Sequence, residues 1–337
     1  APGYPYLRMQ LWFHRGFLFY AEYNLRLLAF LLRHRFDGYW SNDLDTLLPN
    51  FIVSKLRRKP LVYDSHEFFT GVPEIQNRPL VKAVWTGLER LLFPRLNSVL
   101  TVNKRIADRY ARLYAKEIAV VRNIGKRPEV PRLKREDLGL PAEAFLLINQ
   151  GAGINVDRGT EEALEALLHM PEEVMLLLVG KGDALPILHQ RAREWGLESR
   201  FIHVAPQPYS RLLAYTALAD LGLSLDKPNN PNYRDSLPNK LFDYFHSQLP
   251  VLVSPVPAVE AIVTEHQAGE VLDQVEPRSI ARAVQGMRQR GMGAYRNGVL
   301  AAARTYRWEQ EATVLHRLIE RAYGAGRPGG TSRKEEG

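Results

Sequence analysis

Two carboxylates eight positions apart, Asp235 and Asp243, stand in the stretch DSLPNKLFDYFHSQLPVLVSP, among residue types that can hold a sugar and a phosphate. Pro238 suits the first turn of a helix, where its missing N–H costs little, and Pro250 suits the break before a strand at 251–253. On a helix so bounded, Lys240, Asp243 and Tyr244 are three and four residues apart and share one face, while Leu241 and Phe245 share another that can pack. Its N-terminus, with backbone N–H groups near Leu237 and Asn239, offers partial positive charge to an anion. Asp243 can accept hydrogen bonds from sugar hydroxyls. Spacing alone leaves equal room for two ordinary solvated carboxylates.

Two further groups carry chemistry. In YDSHEFF, the residues Asp64, Ser65, His66 and Glu67 follow an earlier polar cluster of Ser41, Asn42, Asp43 and Asp45. Asp64, His66 and Glu67 are competent metal ligands, so half of a metal site is one reading, although no second cluster has ligand-like spacing. Capping of a following helix by Asp64 or Ser65 is another. In QGAGINVDRGTEEALEALL, Arg158 precedes Gly159, and Thr160 is placed to cap a helix. A surface Arg158 paired with Glu161 or Glu162 is the alternative.

Positioning these side chains takes an alternation of short apolar runs and helical segments. Strands are expected at 38–40, 61–63, 99–102 and 118–121, then at 145–149, 174–179, 201–204, 221–225, 251–253 and 270–272. This is the pattern of α/β domains built on parallel sheets. The near-continuous apolar LLLV run favours a sheet buried on both faces. Both polar clusters of the first half then fall at C-terminal strand ends, where open α/β sheets bind ligands. Asn103 also falls at a strand end, and Asn123 suits a turn. The segment 17–35 reads as a long helix. Its uncharged run 27–32 is far shorter than the roughly 20 residues a bilayer span takes, so the helix is expected to be buried or interfacial. Residues 126–141 carry Pro128, Pro131 and Pro141 among charges, as a connector would.

Composition narrows the function classes. The 337 residues suit two domains, and 45% hydrophobic with 24% charged residues is ordinary for a globular protein. Without cysteine, disulfides, thiolate metal sites and a cysteine nucleophile are excluded, which suits a reducing compartment. Charge is uneven: up to Glu136 there are 24 Lys and Arg against 12 Asp and Glu, a net of +12, while the remainder has 21 against 25, a net of −4, which sum to +8. The basic first half favours an anionic partner such as a lipid surface or a pyrophosphate-linked acceptor. No nucleic-acid motif accompanies it. The glycines at 151, 153 and 159 do not fit G-x-G-x-x-G and no G-K-[ST] sequence occurs, so dinucleotide and P-loop readings are weak.

The run PNKLFDYFHSQLPVLVS resembles the signature of retaining glycosyltransferases of family four, which carry two acidic residues separated by seven others, usually both Glu; Asp235 and Asp243 match the spacing with Asp in both places. The resemblance covers roughly residues 37–323 and is strongest in the second half. It implies two Rossmann-like α/β domains facing across a cleft. The expected division is an acceptor-side domain at 1–130, a linker at 131–142, a nucleotide-sugar domain at 143–305, a helix at 306–323 crossing back with Trp308 as its anchor, and a disordered tail at 324–337. YDSHEFF is similar to the family stretch whose His meets the donor sugar and acceptor, which implies that role for His66. The Arg158 loop is similar to the phosphate-binding turn. A second basic residue of that turn falls near Ala152 here, so phosphate neutralisation is expected from Arg158, Lys240 and helix dipoles. VGKGD, with Gly180 and Lys181, resembles the strand-end turn that approaches the nucleotide, and Gln207 lies in the stretch resembling the base-contacting loop. Asp243 is implied to hold the ribose and Asp235 the donor sugar, while Asp220 reads as structural.

The implied reaction is retaining transfer from a nucleotide diphosphate sugar to an acceptor hydroxyl, with no metal and no cofactor beyond that donor. A cytoplasmic protein, peripheral to a membrane through its basic half and acting on an anionic or lipid-linked acceptor, would suit cell-surface polysaccharide or glycolipid synthesis. The family's opening strand and glycine-rich loop have no counterpart before Tyr20, so the first domain is expected to be incomplete. An epimerase of the same architecture and a non-catalytic nucleotide-sugar-binding protein are the alternatives.

Overall fold

The computed structural model describes residues 5–229 and 231–324. The chain divides into two units, the first containing the residues up to Arg122 and those from Ala312 onward, the second Asn123–Glu311. The tail expected to lack order beyond Gly324 lies outside the described residues.

In the first unit, strands β1 (Tyr39–Asn42), β2 (Leu61–Ser65), β3 (Ser98–Thr101) and β4 (Ala119–Val120) form a parallel sheet in sequence order. Helices α1 (Gly16–Arg33), α2 (Leu47–Arg57), α3 (Pro73–Gln76), α4 (Pro79–Leu92) and α5 (Lys104–Tyr114) accompany it. The core is strongly aromatic: Phe93 stacks on Tyr110 at 4.6 Å and on Tyr114 at 4.3 Å, beside the buried Tyr63 and Leu47. Asn103 ends the turn after β3 by accepting from the Ile106 N–H at 2.9 Å, which starts α5. Leu31 of α1 packs with Tyr39 and Val53, so α1 buries one stripe and exposes the rest.

The second unit holds β5 (Phe145–Gly151), β6 (Val174–Gly180), β7 (Phe201–Val204), β8 (Leu221–Ser224), β9 (Val251–Val253) and β10 (Gly269–Val271). They form one parallel sheet in the order β10-β9-β8-β5-β6-β7. Its helices are α6 (Thr160–Ala166), α7 (Leu185–Glu194), α8 (Tyr209–Leu218), α9 (Pro231–Arg234), α10 (Lys240–His246), α11 (Pro257–His266), α12 (Pro277–Arg290) and α13 (Arg296–Thr305). Leu146, Leu147 and Ile148 of β5 and Leu176, Leu177 and Leu178 of β6 are all inaccessible, as strands covered on both faces require. β5 extends two residues past the expected 145–149, through Gln150 to Gly151, because Gly151 keeps its register with Gly180.

The boundary at Arg122/Asn123 precedes the charged connector, whose Arg135 is held within the second unit. Its guanidinium pairs with Asp220 at 2.8 Å and donates to the carbonyls of Leu218 and Ala144, while Asp220 also accepts from Leu146 N–H at 2.7 Å. Helix α14 (Trp308–Gly324) opens at Trp308, and its residues from Ala312 belong to the first unit, where Tyr323 lies over Gly38 so closely that any side chain there would strike the phenol. Among the described residues no helix is long and apolar enough to cross a membrane.

Candidate functional site

The strand order of the second unit reverses between β5 and β8. Connections leave these neighbours toward opposite sides, which opens a crevice beyond their C-terminal ends. Asn149, Gln150 and Gly151 end β5 there, and Asp226 stands just past β8.

Helix α10 turns its polar face onto this crevice. Lys240 Nζ donates to Asn149 Oδ1 at 2.9 Å, Gln150 donates to Asp243 Oδ2 at 3.0 Å, and Tyr209 OH donates to Asp243 Oδ1 at 2.6 Å. Tyr244 OH bonds the carbonyls of Ile148 at 3.2 Å and Leu223 at 3.1 Å, tying the helix to both strands of the reversal. Leu241 and Phe245, on the other face, are fully buried. Burial pushes the Lys240 ammonium pKa down, against the opposing pull of Asp226, and pushes the Asp243 carboxyl up despite its two donors. Asp243 is therefore a half-buried, doubly anchored acceptor, and Asp235, in the loop before α10, is buried at 1% exposure. The solvated-carboxylate reading is overturned for both. Pro238 also differs from expectation: α10 starts at Lys240 with Asn239 at the N-cap, so the proline stands just outside the helix. Leu237 is half-buried and Asn239 exposed in that same loop.

Arg158 reaches the same crevice from the loop after β5. Its Nη1 is 3.3 Å from Asp226 Oδ1 and its guanidinium sits 4.7 Å over the Tyr233 ring. It does not pair with Glu161 or Glu162; Glu162 is engaged by Lys227 at 2.6 Å instead. Asp226 is 2% exposed, and its Oδ2, like Arg158 Nε, has no hydrogen-bond partner among the described residues. Thr160 does not cap α6. The N-cap is Gly159, at φ +74 with the Leu225 backbone against the place a Cβ would take, and Thr160 Oγ1 accepts from Asn149 Nδ2 at 2.8 Å. Gly180, at φ +148, is equally restricted because the Gly151 carbonyl fills its side-chain position. Lys181 N–H donates to that carbonyl at 3.2 Å and Lys181 C=O accepts from Ile154 N–H at 3.0 Å, so the two strand-end loops are stitched together beneath an exposed lysine side chain. Gln207, in the loop between β7 and α8, folds back on the Ala205 carbonyl at 2.9 Å, two residues before the Tyr209 that reaches Asp243.

The first unit holds its own cluster at the ends of β1 and β2. Asp43 Oδ1 accepts from His66 N–H at 2.8 Å and Oδ2 faces His66 Nδ1 at 3.3 Å. Asp64 Oδ2 is 3.8 Å from His66 Nε2 and accepts from Trp40 Nε1 at 3.3 Å. The Asp43 hydrogen bond, against partial burial, raises the His66 pKa, and burial beside Asp43 pushes Asp45 to about 6. Asp43 adopts φ 56 and ψ 172, a backbone region costly for a residue with a Cβ. The capping role for Asp64 or Ser65 is not what they perform, since a bend and a 3-10 turn follow β2 and Ser65 Oγ donates to the Glu67 carbonyl at 2.7 Å. Among the described residues no group of three or more His, Cys, Asp or Glu is arranged to hold a metal ion.

Sequence reasoning missed Asp226 as a partner of Arg158 and Tyr209 as a partner of Asp243. The signal for Asp226 is a polar residue directly after an apolar strand, but that the strand borders the reversal is visible only in three dimensions.

Residues 154–289 match the family model Glycosyl transferases group 1. Over 190 residues the chain is 24% identical to D-inositol 3-phosphate glycosyltransferase of Xylanimonas cellulosilytica, a match covering 54% of this chain and 43% of that relative's length. Sucrose-phosphate synthase from Thermosynechococcus elongatus superposes with a TM-score of 0.73 at 16% identity, over 91% of this chain and 78% of its own. HepE from Anabaena, solved with UDP and glucose, gives 0.69 at 18% identity, over 88% and 80%. The chain thus resembles the group 1 glycosyltransferases and shares the α/β fold of the two-Rossmann-domain glycosyltransferases.

Proposed function

We infer that the chain acts as a retaining glycosyltransferase, moving a hexose from a nucleotide diphosphate sugar to an acceptor hydroxyl. The observation that carries this reading is the reversal crevice of the second unit, where two cations gather, Lys240 on Asn149 at the end of β5 and Arg158 on Asp226 just past β8. Leaving-group departure concentrates negative charge on the diphosphate, and preorganised cations there favour the transition state over the bound donor. The orphaned Arg158 Nε supports a phosphate role, since a buried guanidinium N–H without a partner is costly until an acceptor arrives. Asp243, anchored through Tyr209 and Gln150, retains lone pairs for ribose hydroxyls. Asp235 takes the donor sugar, with Leu237 and Asn239 offering backbone N–H groups, and the Gly180–Lys181 turn and Gln207 border the nucleotide. His66, clamped between Asp43 and Asp64, is the polar group of the first unit suited to a sugar hydroxyl. That HepE is solved with UDP and glucose makes UDP-glucose the first donor to try.

The test is a thermal-shift panel of nucleoside diphosphates on wild type and Arg158→Ala. Saturation at about a hundred times Kd should stabilise the wild type by roughly 2.7 kcal/mol, with most of that gain lost in the variant. No stabilisation by any nucleotide would sink the donor assignment. Binding without transfer or hydrolysis of a nucleotide sugar would leave a binding protein, and sugar interconversion without acceptor an epimerase.

A further inference from the structure

The outer face of α1 is apolar where a water-facing helix would be polar. Leu18, Leu25 and Leu32 recur every seven residues and so form one stripe, with exposures of 53%, 67% and 44%. Phe17 (73%) stands at its N-terminal end, and the exposed Trp12 (80%) folds back beside Glu22 and Arg26 partway along the helix. Contiguous exposed apolar surface of this kind marks an interaction site rather than ordinary scatter.

Charge identifies what it meets. From residue 5 to residue 36 the only acid is Glu22, and its carboxylate is committed to Arg26 at 2.7 Å and to the Trp12 and Phe13 N–H groups. Arg8, Arg15, Arg33 and Arg35 are exposed on the same segment. Arg15, at the helix N-cap, and Arg33, in its last turn, form a row flanking the leucine stripe. Beyond that row, residues 5–11 and α1 enclose a groove of about 720 Å³ lined only by apolar and aromatic side chains, among them Pro5, Leu11, Phe19, Tyr23 and Phe30. A second copy of the chain docked here would bring two sets of arginines together. An anionic bilayer satisfies both features: aromatic and aliphatic groups enter the acyl boundary while arginines meet headgroup phosphates.

We propose that residues 5–36 form a membrane-docking surface that seats this unit on an anionic lipid bilayer, with the groove behind the arginine row taking an acyl chain. The surface is independent of the donor crevice, so either assignment can fail alone.

The experiment is co-sedimentation of the chain with phosphatidylcholine vesicles and with vesicles in which a third of the lipid is phosphatidylglycerol. The expected result is capture by the anionic vesicles only, weakened by high salt. Phe17→Ser/Leu25→Ser and, separately, Arg15→Glu/Arg33→Glu should each lower the partition coefficient about tenfold or more, with melting temperature and nucleotide response unchanged. Wild type remaining in the supernatant with anionic vesicles overturns the proposal, as does capture of both variants at wild-type levels. Light scattering that shows a dimer dissolved by Phe17→Ser/Leu25→Ser also overturns it, giving the face to a second copy.

Discussion

Asp43 governs His66 through two contacts, one to its backbone N–H and one to its ring. Asp43→Asn keeps an oxygen for the N–H but removes the charge, so the His66 titration followed by NMR should move to lower pH. Because the folded His66 pKa is raised, the pair's stabilisation is complete below the ordinary histidine value and fades as pH rises through the folded one. The stability gap between wild type and Asp43→Asn should therefore narrow over that window. A constant gap from acid to alkaline pH would refute the pairing. Asp45 follows the same sign, though from burial and not from pairing. A carboxyl raised to about 6 holds its proton more tightly when folded, so wild type loses stability as pH climbs from about 4 through 6. Asp45→Asn should gain roughly 1 kcal/mol at neutral pH, after allowance for solvent screening, and nothing at pH 3, as read by urea denaturation at both.

At the scale of elements, Asn103 is the cap whose loss is simplest to read: Asn103→Ala should cost about 1 kcal/mol in urea unfolding, and Asn103→Gly only a few tenths. This cap sits where a strand-end Asn was expected, because capping chemistry is local. The shared face of Lys240, Asp243 and Tyr244 was likewise legible from spacing, as were all ten strands to within two residues of their ends. What escaped was long-range. That this face meets β5 depends on Lys240 finding Asn149, 91 residues away, and that Arg158 meets Asp226 depends on the order of strands. Thr160 and Pro238 show a different limit. Each has the right residue type for its expected cap or first turn, but Gly159 and Asn239 take the N-cap positions, one forced by the approach of the Leu225 backbone.

For the whole molecule, the two units own separate cores, one around Tyr63, Phe93 and Tyr110 and the other around the β5 to β10 sheet. A chain of this kind need not unfold in one step. Calorimetry should show a nucleoside diphosphate raising the transition of the second unit, whereas Phe93→Ala, at about 3–5 kcal/mol, should lower the other. A variant that dragged both transitions equally would show that the cores melt together.

The reversal between β5 and β8 also sets when the crevice comes into being. Leu147 pairs with Leu221 only after the intervening β6, β7 and their helices have been threaded past, so this closure is entropically late and belongs to the slow, non-local part of folding. A donor nucleotide has nothing to grip before that moment. It should leave the refolding rate untouched and slow unfolding, acting as a latch on a finished sheet and not as a seed for one.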